Sequence, residues 1–310
     1  MHARTRARLQ LAAAAVLFST GGAAIKAADF TAWQVASFRS GVAALAILAL
    51  AREARRGWSG RAVLVGFAYA ACLVLFVLAN RLTTAANTIY LQSTAPLYLA
   101  ILAPWLLKEP TRRQDLGLMA ALGVGLVLFF VGIEPPVASA PDPVRGNVLA
   151  LTSGFFWALT VCGLRWMGAG SGAHGSAAAA VVSGNLTAFL VGLPLALPLG
   201  GHGAADWGIV VYLGVFQIAL AYVFVTRALA AIPALEASLI LLIEPVFNPV
   251  WAWLAQGERP GPWALVGGAV ILGATALNAY LNARSARVMV PPAEPGLPLV
   301  GGEEASSARP

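Results

Sequence analysis

Of 310 residues, 59% are hydrophobic and only 11% charged, with a mean hydropathy of +0.77; such a chain lacks the polar surface that a water-soluble domain needs. A formal net charge of +7 would suit a nucleic-acid partner in a soluble protein, but here the basic residues gather at the edges of apolar runs, so nucleic acid is set aside and an all-α polytopic membrane protein is expected. Cys72 and Cys162 lie inside apolar runs, offer neither a disulfide framework nor a thiolate metal site, and read as small core residues.

Arg4, Arg6 and Arg8 precede an apolar run over 9–24, a layout that also fits a cleaved secretory signal. A counterpart of that run recurs at 148–166, so it is read as a retained first span. Further runs of spanning length follow at 32–51, 62–79, 85–107, 116–133, 147–166, 176–197, 207–225, 234–255 and 263–281, ten helices in all. Connectors at 52–60, 108–114, 134–146, 168–175, 200–206 and 256–262 are rich in turn formers and charge. The end of the chain, 284–310, is rich in Pro, Gly, Glu and Ser and is expected to be a disordered cytoplasmic tail.

The spans repeat. Residues 79–109 (ANRLTTAANTIYLQSTAPLYLAILAPWLLKE) and 228–258 (ALAAIPALEASLILLIEPVFNPVWAWLAQGE) are related by one constant shift, which lays Ala79 on Ala228, Asn87 on Glu236, Pro96 on Pro245 and Glu109 on Glu258. Around them Gly66 pairs with Gly214, Gly117 with Gly267, Gly123 with Gly273, and Phe18 and Ser19 with Trp157 and Ala158. Two five-helix units, 1–133 and 147–283, joined by the connector 134–146, follow from this pairing. Lys and Arg crowd the side that holds the chain start and the 52–61 and 108–113 connectors, while the other side has only Arg81, Arg145 and Arg259, with Lys26 at its edge. That bias puts both termini in the cytoplasm, in a multi-pass protein of the cell inner membrane. An odd number of spans per unit then inverts the second unit relative to the first.

Paired units that each end in a proline-bearing span, a Lys-Glu or Gly-Glu exit and a Gly-rich fifth helix resemble the EamA-type drug/metabolite transporters, over roughly 9–283. The residues that carry the resemblance lie at 82–109 and 228–259, including Glu244 with Pro245 and Gly257 with Glu258. It implies ten spans, cytoplasmic termini, a central cavity lined mainly by the first, third, fourth, sixth, eighth and ninth helices, and small-molecule transport, often export. Members often carry Trp where this chain has Phe18, whereas Trp157 keeps it, so an aromatic pocket wall is expected in the second half.

Pro96 and Pro245 cannot donate to the carbonyls of Gln92 and Leu241, so kinks are expected there, either shaping or gating a cavity or serving helix packing. Glu244 and Asn248 stand one turn apart on a common helix face. Glu244 is a candidate for taking and releasing a proton; its alternative is a carboxyl permanently hydrogen-bonded to a neighbouring helix. Glu236, two turns earlier, is a second proton-coupling candidate, or a group that reaches the membrane edge. Tyr90, Gln92, Tyr98, Trp157, Gln217 and Tyr222 are mid-span groups suited, with Asn248, to binding a polar solute, or to helix packing.

Arg39 is costly within a span and suits an anionic substrate group or a structural carboxylate. Glu109 and Glu258 read as solvated or loop-capping, and His2, His174 and His202 as solvated, with no metal-ligand spacing. No Gly-Lys-Thr phosphate loop is present, so no cofactor is called for and gradients or exchange supply the energy. The expected partners are a small-molecule solute and membrane lipid; a homodimer is compatible with the pattern. The competing class is a membrane-embedded enzyme acting on a lipid-linked substrate, which should cluster Asp, His or Ser at a membrane face.

Overall fold

The computed structural model describes residues 2–106, 108, 113–133, 135–168, 176–229 and 231–288; among them the chain is helical nearly throughout, with no strand. Nine helical stretches are long and apolar enough to cross a bilayer, and Asp115–Val131 is a shorter apolar helix at the expected fifth position.

The first span is α1 (His2–Ser19) followed, after a break at Thr20, by α2 (Gly21–Ala27); α3 (Ala32–Leu50) and α4 (Gly60–Leu82) come next. The fourth span is split into α5 (Ala85–Gln92) and α6 (Ala95–Leu106), and α7 (Arg113–Val131) closes the first half. In the second half, α8 (Pro143–Gly168) and α9 (Ala177–Ala196) precede α10 (Ala204–Tyr212), a π-helical stretch Leu213–Leu220, and α11 (Ala221–Leu229). The ninth span is again split, into α12 (Ala234–Leu241) and α13 (Ile243–Gln256), before α14 (Pro262–Val288). Because α14 stays helical to Val288, residues 284–288 are not part of a disordered tail; 289–310 lie outside the described residues.

Local chemistry sets these boundaries. Thr31, Ser59, Thr84 and Ser176 each accept from a backbone N–H of the following first turn, capping α3, α4, α5 and α9. Pro96 and Pro245 both fall in a first turn, where a missing N–H costs no helical bond, so each proline starts a new half-helix. The two breaks are repeat equivalents: the shift that lays Pro96 on Pro245 also lays Ala85 on Ala234 and Gln92 on Leu241, the bounds of α5 and α12. At the end of α13, Gly257 takes a left-handed φ of 69°, which turns the chain sharply into Glu258.

Lipid offers apolar helices no hydrophobic reward for association, so close packing through small residues has to supply it. A Cβ at Gly66 would stand 2.9 Å from the Gly184 amide nitrogen, and one at Gly267 2.9 Å from the Gly125 carbonyl; these close approaches join α4 to α9 and α7 to α14. Contacts between the halves come in pairs: α1 packs on α11 as α8 packs on α4, and α3 on the π-helical stretch as α9 on α4. The main core mixes both halves, with Val35, Val77, Leu91, Leu122, Leu213 and Ile271 all fully buried. Connectors meet at two ends of the bundle. One end joins Lys26 to Thr83, Ser139 and Glu258, and Asp29 to Asp206; the other joins Arg8 to Glu236 and Ser176 to Glu53, Arg56 and Gly57.

Candidate functional site

Polar side chains from both halves meet midway along the spans, where the helices are interrupted. Gln92 is the last residue of α5, just before the break that Pro96 imposes. Its Nε2 donates to Ser153 Oγ on α8 at 2.8 Å and lies 3.5 Å from Cys72 Sγ on α4; Ser153 Oγ donates in turn to the Cys72 carbonyl at 3.0 Å. Residue 154 must be small for this approach, since a Cβ there would stand 3.0 Å from the Gln92 carbonyl oxygen. Ser153 and Cys72 are buried and Gln92 is half-buried, so Gln92 is the most accessible member of the network.

Tyr69, about one turn before Cys72 on α4, faces the Trp157 ring with centroids 6.2 Å apart. It also lies within electrostatic reach of Arg39, Cys72, Tyr222 and Glu244. Tyr69, Tyr222 and Glu244 are half-buried and Trp157 is 40% exposed, although all four sit well inside spans. They belong to α4, α11, α13 and α8, so both halves contribute to the group. A carboxyl, two phenols and an indole, with the Gln92 amide joined to them through Cys72, are groups that can hydrogen-bond and stack on a small polar or aromatic solute. Arg39 is 2% exposed; its Nη2 donates to the Leu73 carbonyl at 3.1 Å, and no ion pair to it occurs among the described residues.

Gln217 and Asn248 stand on another flank, against the break in the first span. A Cβ at Gly21 would lie 2.8 Å from Gln217 Nε2, and one at Gly22 2.7 Å from Asn248 Oδ1. Both amides are buried, and Gln217 Oε1 and Asn248 Oδ1 have no partner among the described residues. Trp251 Nε1 donates to Ser19 Oγ at 2.9 Å just beyond them.

The remaining expected residues are placed elsewhere. Tyr90 is buried, its ring 6.1 Å from that of Phe129 and tight against Gly268, and Tyr98 meets Phe155 edge-on at 5.5 Å. Glu236 pairs with Arg8 at the end holding the chain start, two turns from Glu244 and apart from the mid-span group. Glu258 is 5% exposed rather than solvated, and it caps: Oε2 accepts from the Ala85 N–H at 2.8 Å and Oε1 from Lys26 Nζ at 2.7 Å. His202 is half-buried instead of solvated because its ring lies 4.0 Å from that of Phe30. Glu109 and His174 lie outside the described residues, as does the side chain of His2. Among the described residues no three of His, Cys, Asp and Glu come together as a metal site would require.

Sequence reasoning passed over Tyr69 and Ser153 and read Cys72 as core alone. For Tyr69 a signal existed, because the shift that lays Gly66 on Gly214 lays Tyr69 on Gln217. Ser153 had none, being a lone hydroxyl in an apolar run.

The model of the EamA-like transporter family matches residues 6–131 and again 144–280. A solved structure described as "Crystal structure of protein" superposes with a TM-score of 0.57 at 20% sequence identity, covering 91% of this chain and 99% of that one, a likeness of fold. No curated protein matches the chain.

Proposed function

The chain belongs to the EamA-like transporter family, and from that premise we propose that it is a secondary transporter that moves a small metabolite or drug-like solute across the cytoplasmic membrane, outward, by alternating access. In this reading ten spans form two halves of opposite orientation with both termini in the cytoplasm, and the cleft between the halves opens to one face at a time. The paired contacts between halves support it, as do the matched breaks at Pro96 and Pro245 and the meeting of Lys26, Thr83, Ser139 and Glu258 at one end.

The observation that carries the proposal is the mid-span grouping of polar and aromatic side chains from both halves, in which Trp157 of α8 faces Tyr69 of α4 at 6.2 Å and half-buried Glu244 of α13 lies within electrostatic reach of Tyr69. A carboxyl at that depth is costly unless it serves a path, and Glu244 suits a group that holds a proton on one side of the cycle and releases it on the other. Gln92, Trp157 and Tyr222 then contact the solute, while Pro96 and Pro245 hold the half-helices whose tilting changes access. Exchange of one solute for another is the second way to drive the same cycle.

The experiment is flux in proteoliposomes containing the purified chain alone, with a labelled amino acid, a nucleobase and a cationic drug chosen from those whose release from cells depends on the protein. Movement of at least one of them, saturable and driven by an imposed proton gradient or by exchange, is expected. No protein-dependent movement of any solute so chosen would overturn the reading.

A further inference from the structure

We infer that Lys26 and Glu258 form the latch that holds one end of the cleft shut, and that this ion pair must part each time that end opens. The inference rests on the transporter reading, which gives the opening a purpose. Lys26 belongs to the first half and Glu258 to the second, 232 positions apart in sequence. Their side chains are 6% and 2% exposed, and the pair is saturated. All three ammonium hydrogens of Lys26 are engaged, by Glu258 Oε1 at 2.7 Å, the Thr83 carbonyl at 2.8 Å and the Ser139 carbonyl at 2.5 Å. The second carboxylate oxygen of Glu258 accepts from the Ala85 N–H at 2.8 Å, at the first residue of α5.

One small cluster therefore fastens four segments at the same end of the bundle: α2, the turn into the broken fourth span, the connector between the halves, and the exit of α13. Glu258 also lines a cavity of about 440 Å³ together with Thr83, Asn87, Ser139, Gln256 and Arg259, so the pair sits at the wall of a cavity at this end. Directly inward, Gly22 lies one turn before Lys26 on α2 and touches buried Asn248, whose Oδ1 has no partner among the described residues. Opening this end exposes that amide. Lys26 is the counterpart of Arg165 under the shift that lays Phe18 on Trp157, yet Arg165 is exposed at the opposite end.

Two measurements test the latch without any transported solute. The chain has two lysines, Lys26 and exposed Lys108, so an amine-acetylating reagent followed by mass spectrometry compares them within the unaltered protein. Lys26 is expected to react at least ~10-fold more slowly, as a group reached only through opening does. Equal rates overturn the latch, and this arm needs no variant to fold.

In the second arm, Asn248→Cys is introduced with Cys72→Ser and Cys162→Ser, and its modification by a membrane-impermeant maleimide is followed with and without Glu258→Gln. The rate is expected to rise at least ~5-fold in Glu258→Gln, because the closed form loses its fastening. An unchanged rate in a folded Glu258→Gln protein overturns the proposal while leaving the transporter reading intact. Absence of flux for every solute in the panel sinks the transporter reading whatever the labelling gives.

Discussion

Replacing Lys26 by Met and Glu258 by Gln, singly and together, measures how strongly the buried pair holds the bundle. Each single substitution strands a charge in a site water barely reaches, the side chains being 6% and 2% exposed, and removing one member of such a pair costs about 3–5 kcal/mol. The double variant strands no charge. It still leaves the Thr83 and Ser139 carbonyls without their donor, at about 1–3 kcal/mol each, while the amide introduced by Glu258→Gln keeps an oxygen for the Ala85 N–H. The double variant should therefore lose clearly less than the two single losses combined, with a coupling energy of about 2–3 kcal/mol. Equilibrium unfolding in dodecylmaltoside micelles titrated with dodecyl sulfate, followed by helical circular dichroism, reads these differences. Single losses that add to within ~0.5 kcal/mol would refute the reasoning, because two charges that feel each other in a buried site cannot be independent.

The Arg8–Glu236 pair should behave in the opposite way: both partners keep substantial exposure, and Arg8→Ala is expected to leave the same unfolding midpoint unmoved, whereas a shift like that of Lys26→Met would contradict its surface setting. Gln92→Ala removes the amide that joins Ser153 to the cleft, worth about 1 kcal/mol, so KM for flux should rise ~5-fold with little change in maximal rate; an unaltered KM would show that Gln92 does not reach the solute. Glu244→Gln should abolish flux driven by a pH gradient while sparing solute exchange, and pH-driven flux equal to that of the unaltered protein would remove Glu244 from the coupling step.

The sequence made the helices legible because a bilayer demands long apolar runs, and it made the duplication legible because one shift carries Pro96 onto Pro245. Position along each span was equally readable, since it depends only on place within a run. Azimuth was not. Tyr90 and Gln92 lie two residues apart on α5, about 200° around the helix, and the structure buries one against Phe129 and Gly268 while the other reaches Ser153. Nothing in an almost uniformly apolar span says which face meets a neighbour. The Lys26–Glu258 contact was hidden for a different reason, for each residue read alone sits at a membrane edge where water is the default partner. Only the closure of one end onto the other half buries them together.

The duplicated breaks explain why the mid-span polar group gathers where it does and why its two sides differ. An uninterrupted helix satisfies its own backbone and offers neighbours only side chains, but each broken span ends one half-helix at the same repeat position and begins the next within one residue of it. The shift that matches the breaks lays Ala95, in the first turn of α6, on Glu244, in the first turn of α13. It also lays Gln92 on Leu241, so the amide falls in one half and the acid in the other. Duplication thus supplied the interruption twice and the ionisable group once. A solute held between α5 and α13 would meet a neutral amide joined to Ser153 on one wall and a carboxyl on the other, and that inequality, not the shared scaffold, would set which way round it lies.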